Sequence, residues 1–238
     1  MTKPAILWEH NLQNARTQII SQGEVIYAFN LLQDRFFNIF LLAIALERPD
    51  QFSAGIRFYD HALTMWHVLQ SDNQQRKLAL AAISSVPTSL NLKHGLKRLE
   101  WARTKADKLS EYRNLLAHNT IMFRGRAKGK QVAFVPEFGG NSTRPMHRQR
   151  LGAIKGRRFW RALCVDLLNL SDYVQFCGRH IYVLDYQRRN VDVIGMPKTW
   201  PKRPRLRSLP LIRRLEASLP KVAAAKRRVR RRSSPGSP

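Results

Sequence analysis

The sequence predicts a mostly all-α protein. The expected architecture is an antiparallel four- to five-helix bundle with a small β-hairpin after the fourth helix and a disordered basic C-terminal tail. Three observations predict it. Apolar residues recur at steps of three and four through most of residues 9–180. The period shortens once, around residues 121–135, on either side of a glycine-bearing basic loop. From Pro197 onward, prolines, arginines and serines dominate.

The elements follow in order. Residues 9–48 read as one or two long helices, with Val25, Ile26, Phe29, Leu32, Phe36, Ile39, Phe40 and Ala43 on the recurrent stripe. Arg48-Pro49-Asp50 ends them, because the residue before proline is pushed out of the α region. A second helix spans about Ser53 to Gln70, with Ile56, Tyr59, Leu63, Trp66 and Leu69 in register. Ser71-Asp72-Asn73 is a turn and N-cap cluster that opens a third helix to Ser85. The fourth helix is long and runs from about Ser89 to His118. Its stripe is Leu92, Leu96, Leu99, Ala102, Ala106, Leu109, Tyr112 and Leu116. A fifth fits about Arg148 to His180, with Ile154, Phe159, Leu163, Leu167, Leu170 and Val174 inward. The Gly178 region and Asp185 to Gly195 stay ambiguous. One domain over 1–195 and a disordered tail over 196–238 is the expected organisation.

Charge narrows the class of partner. The 238 residues carry 42 Lys+Arg against 16 Asp+Glu, a formal net charge of +26. Such an excess is self-repulsive and draws polyanions, so nucleic acid or an anionic membrane surface leads. Residues 198–238 hold 14 of the cations and a single acid, Glu216, so half the net charge sits in about a sixth of the chain. The remainder is basic in its own right.

Other features exclude more than they assign. Cys164 and Cys177 have neither disulfide-framework nor zinc-ligand spacing and read as free thiols in a reducing compartment. The N-terminus shows no secretory h-region. The most apolar run, Phe36 to Leu46, is too short to span a bilayer and reads as a buried helix. The expected location is the cytoplasm. His61 and His67 are six apart, not the four that would place two imidazoles on one helix face. No phosphate-binding glycine loop, nucleophile elbow or metal-ligand cluster is visible, so no metal and no cofactor is expected.

One segment could carry chemistry: Arg113-Asn114-Leu115-Leu116-Ala117-His118, at the end of the fourth helix and just before the hairpin. A histidine near a helix C-terminus, with a pKa near neutral, can take and give a proton. Residues five apart differ by about 140° around a helix, so Arg113 must use its length to reach a phosphate beside His118. Asn114 and His118 share a face more closely. On chemistry alone, a solvated helix-end arginine and a dipole-paired histidine are the favoured reading.

The segment resembles the signature of the HEPN superfamily, over roughly residues 88–120: an arginine, a polar residue next, then a histidine four to six positions past the arginine near the end of a bundle helix. The resemblance implies a homodimer in which two motifs face each other across a cleft. It also implies RNA cleavage without metal, by attack of the ribose 2′-OH on the adjacent phosphate. His118 would serve as acid and base, Arg113 would hold the phosphate, and Asn114 would orient histidine or phosphate. Arg124, Arg126, Lys128 and Lys130 on the expected hairpin, with Lys105 and Lys108 on the preceding helix, are the candidate phosphate contacts. Trp101 and Tyr112 are candidate stacking residues, although Tyr112 lies on the core stripe. A toxin–antitoxin or phage-defence setting, with an antitoxin or other protein partner, follows from the resemblance alone. The alternatives are a catalytically inert HEPN-like bundle that binds nucleic acid or protein, and a membrane-surface protein recruited by its tail.

Overall fold

The computed structural model describes residues 4–47, 56–86, 92–117, 121–128, 131–138, 157–188 and 199–218, with side chains over 19–47, 59–86, 92–114, 158–188 and 199–218. The described residues are mostly helical. They form six helices: α1 (Pro4–Glu47), α2 (Ile56–Val68), α3 (Asp72–Ser85), α4 (Lys93–Ala117), α5 (Arg157–Arg188) and α6 (Ser208–Ser218). Between α4 and α5 the backbone pairs antiparallel as β1 (Ile121–Lys128) and β2 (Gln131–Phe138), with Ile121 opposite Phe138 and Lys128 opposite Gln131. The side chains of these strands lie outside the described residues.

α1 is the axis of the bundle. It packs most extensively on α5, then on α3 and α4, while α4 also meets α5 and α3. The reason is its stripe: Val25, Ala28, Phe29, Leu32, Phe36, Ile39, Phe40 and Ala43 recur every three or four residues and are all buried. Ile26, expected on that stripe, is only half-buried. The helix also changes the reading of the apolar run. Phe36 to Leu46 is not an isolated stretch but part of Ile19–Glu47, which is long and apolar enough to cross a membrane by length and composition. Here its buried side chains belong to the common core.

α2 seats Trp66 against Phe37 and Phe40, with ring centroids 5.3 and 6.0 Å apart. Tyr59, expected inward, is instead largely exposed and meets the Phe37 ring only at its edge. α3 starts where the Ser-Asp-Asn cluster predicts: Ser71 Oγ accepts from the Gln74 N–H at 3.3 Å. On α4, Leu99, Ala102, Ala106, Leu109 and Tyr112 are fully buried, as the periodicity requires. α5 carries Phe159, Leu163, Leu167, Leu170 and Val174 inward and continues past Gly178 to Arg188. Gly178 lets it do so beside α1: a Cβ there would come within 2.8 Å of Ile39 Cδ1.

The C-terminal region departs from expectation. The segment assigned to a disordered tail contains residues 199–218, which pack on the bundle. Trp200 lies over Gly95 of α4, where a Cβ would meet the indole at 2.6 Å, and its ring stands 4.1 Å from that of His180. Leu206 and Ile212 are buried. α6 packs on α5. The physical reason is a compact apolar repeat, Leu206, Leu209, Ile212 and Leu215, hidden among arginines and prolines. Pro210 is tolerated because the first helical turn has no use for its missing N–H. Residues 219–238, including the polybasic run Lys226 to Arg232, lie outside the described residues.

Candidate nucleic-acid interface

Of the expected catalytic residues, Arg113 and Asn114 sit on the last turns of α4. Arg113 is only partly exposed and is held by partners within the fold. Its Nη2 donates to Asp72 Oδ2 at 2.8 Å, its Nη1 to Asn114 Oδ1 at 2.9 Å, and its Cζ lies 4.1 Å from the centroid of the buried Phe29 ring. Its Nε is buried without a hydrogen-bond partner in the described structure. Packing of the guanidinium on an aromatic ring is the compensating contact there. Three elements thus meet at one side chain: the end of α4, the start of α3 and the middle of α1. Asn114 is exposed. His118 lies outside the described residues.

A second arginine reinforces this joint. Arg76 of α3 is 1 % exposed and forms a two-pronged pair with Asp107 of α4, Nε at 3.0 Å and Nη2 at 2.7 Å. Its Cζ lies 5.7 Å from the same Phe29 ring. Burial pulls the Arg76 pKa below its ordinary value, against the opposing pull of the Asp107 carboxylate. Asp107 is shared with Arg103, whose Nη1 donates to Oδ2 at 2.8 Å while Nη2 holds Glu100 at 2.5 Å. The Glu100 hydrogen bond raises the Arg103 pKa above its ordinary value. Arg76, Arg103 and Arg113 therefore neutralise the half-buried Asp72 and Asp107, and Arg103 also pairs with Glu100 at the surface. A phosphate would have to displace Asp72 to win the terminal nitrogens of Arg113.

The remaining expected contacts divide. Lys105 and Lys108 are half-buried on α4, and Lys105 Nζ lies 5.9 Å from the Trp101 ring centroid. Arg124, Arg126 and Lys128 fall on β1, where only the backbone is described, and Lys130 lies outside the described residues. Tyr112 is fully buried and donates to Glu216 Oε1 at 3.2 Å, so it is a core residue that ties α4 to α6, not a stacking platform. Trp101 is half-buried, edge-on to Tyr173 at 5.3 Å, with Arg203 5.3 Å from its centroid.

Among the described residues, a dense cluster of solvent-exposed cations lies within the segment expected to be a disordered tail. Lys202, Arg203, Arg205, Arg207, Arg213 and Arg214 are all exposed, on a segment anchored by Trp200, Leu206 and Ile212. Arg98 fixes the start of that segment: its Nη1 donates to the Pro201 carbonyl at 2.8 Å, and its Cζ lies 5.8 Å from the Trp200 ring. The signal that would have found them is the three-residue apolar spacing from Leu206 to Leu215. Lys93 and Lys97 on α4 are also exposed. Among the described residues no group of three His, Cys, Asp or Glu side chains could hold a metal ion. Cys164 and Cys177 are free thiols, and burial pushes Cys177 up to about 12. No family model, curated protein or solved structure matches the chain.

Proposed function

We propose that the protein binds RNA through the packed basic segment, residues 202–214, and the neighbouring exposed face of α4. One observation carries this reading. Six exposed cations lie within that short stretch, held on a helical scaffold, with no acid among them. Cations so placed neutralise successive phosphates without regard to sequence and release counterions as they do. The test is filter binding of a single-stranded RNA by the full chain and by the Arg213→Gln/Arg214→Gln double variant, both checked by circular dichroism. Weaker binding by a folded variant supports the reading. Equal binding contradicts it.

A second reading keeps the HEPN resemblance: a metal-independent endoribonuclease with Arg113, Asn114 and His118 at its site. The contact between Arg113 and Asn114 favours it, since the two side chains already act as one unit at the end of α4. In that reading the site works across a homodimer, and substrate phosphate exchanges with Asp72 as the partner of Arg113. Cleavage of an RNA pool in EDTA, leaving 2′,3′-cyclic phosphate ends and lost in a folded His118→Ala variant, is the expected result. Absence of cleavage, or equal cleavage by both proteins, removes it and leaves the binding reading intact.

A further inference from the structure

Between α5 and the segment that follows Trp200 there is an open groove of about 270 Å³. Asp172, Tyr173 and Phe176 line it from α5, and Pro201, Lys202 and Pro204 from the opposite side. Its chemistry is divided. Phe176 is 44 % exposed, which for a phenylalanine in a helix next to a core is a ring offered to solvent. Asp172 is exposed and forms no ion pair among the described residues, although the surrounding surface is rich in cations. Lys202 stands on one rim, and Arg179, with its Cζ 5.7 Å from the Phe176 centroid, brings a second cation from α5.

A carboxylate inside a basic rim repels phosphate from the groove itself while the rim attracts it. The ligand that satisfies both demands has a flat, hydrogen-donating centre and anionic flanks. An unpaired nucleobase within a strand has that form, because every base offers a face for stacking on an aromatic ring and is flanked by phosphates. Among the bases, guanine presents two adjacent donors, N1–H and the N2 amino group, to one carboxylate. We infer that this groove is a subsite for a single unpaired guanine, stacked against Phe176, with its Watson–Crick edge on Asp172 and the adjoining phosphate on Lys202. The inference rests on the RNA-binding reading and adds base selectivity to it.

The rigid seating of the groove supports this. Tyr173 is 3 % exposed, edge-on to Trp101 and within 3.4 Å of Arg98 Nη1, and Arg98 in turn holds the Pro201 carbonyl. Both walls are thus tied to α4 by the same arginine, so the groove is formed before a ligand arrives.

The experiment compares two nine-nucleotide RNAs, all-uridine and uridine with one central guanine, by competition anisotropy with the full-length protein. A bidentate carboxylate–base contact discriminates by about 1–3 kcal/mol, so a preference of roughly 5- to 150-fold for the guanine strand is expected. Asp172→Asn is expected to collapse that ratio to near one, and Phe176→Ala to reduce it. Equal affinity of the wild type for both strands, or an unchanged ratio in Asp172→Asn, overturns the subsite while leaving general RNA binding standing. If neither RNA binds, the RNA-binding reading fails, and titration with guanosine 5′-monophosphate against uridine 5′-monophosphate, followed by NMR, decides the groove alone. Selective binding lost in Asp172→Asn upholds the subsite, and no selective binding overturns it.

Discussion

The carboxylate of Asp166, fully buried in α5, caps the N-terminus of α6 at Ser208. It accepts from the Ser208 N–H and hydroxyl, each at 2.6 Å, and from the Arg207 N–H at 2.9 Å. A helix start leaves N–H groups without intrahelical partners and carries a partial positive charge. Supplying the acceptor from another helix both satisfies them and fixes where α6 docks. The exposed arginines of α6 owe their position to this contact.

Asp166→Ala removes a charged acceptor and leaves buried donors unpaired. A loss of about 2–3 kcal/mol is expected. Thermal denaturation checks it, with a fall in Tm of roughly 5–10 °C. Asp166→Asn retains one acceptor and falls between the two. Limited proteolysis of Asp166→Ala is expected to cut first in residues 199–218.

The Trp200–Gly95 contact gives a non-additive pair. Gly95→Ala forces a Cβ against the indole and destabilises the wild type by about 1–3 kcal/mol. In a Trp200→Ala background the clash is gone, and the same substitution stabilises by about 1 kcal/mol through helix propensity. Urea denaturation of the four proteins measures the coupling. Additive effects would show that Trp200 does not rest on α4.

Arg76 is a buried charge whose partner is shared. Arg76→Ala opens a space beside Phe29 and strips Asp107 of one of its two arginines, for a loss of about 3–5 kcal/mol. Arg76→Met refills the space, and Arg103 continues to hold Asp107, so a much smaller loss is expected in the same denaturation experiment.

The Cys177 thiol is held protonated by burial, with its pKa pushed up to about 12 from 9.0. Because the folded value is raised, its contribution to stability is fully present below pH 9 and is lost as the pH rises through the folded value. Alkylation with iodoacetamide at pH 8 is expected to spare Cys177 until the chain is denatured. Cys164 is raised less and only partly buried, so it reacts first.

Much of the helical core was legible, because burial on α1, α4 and α5 follows simple three- and four-residue steps. Phe29, Leu99, Leu109 and Leu167 needed nothing more. What escaped depends on distant partners. Arg113 looked like a free helix-end cation because Asp72 is 41 residues away. Tyr59 sits in phase with Trp66 but at the margin of the bundle, where periodicity cannot say that the neighbouring wall has ended. Residues 199–218 were hidden because proline and arginine content masks four well-spaced apolar side chains and because Trp200 packs on a glycine more than a hundred residues earlier. The expected site residues were readable as types, but whether a cation faces solvent or an internal carboxylate is set by tertiary contacts.

The salt dependence of RNA affinity tests the central claim most directly. For a single strand, the slope of log K against log salt falls by about 0.7 for each phosphate contact removed. The wild-type chain is compared with Arg213→Gln/Arg214→Gln and with Lys93→Gln/Lys97→Gln. The account predicts a shallower slope, by roughly 1–1.5, for the α6 pair, with the fold preserved. Identical slopes for wild type and the α6 pair would contradict it.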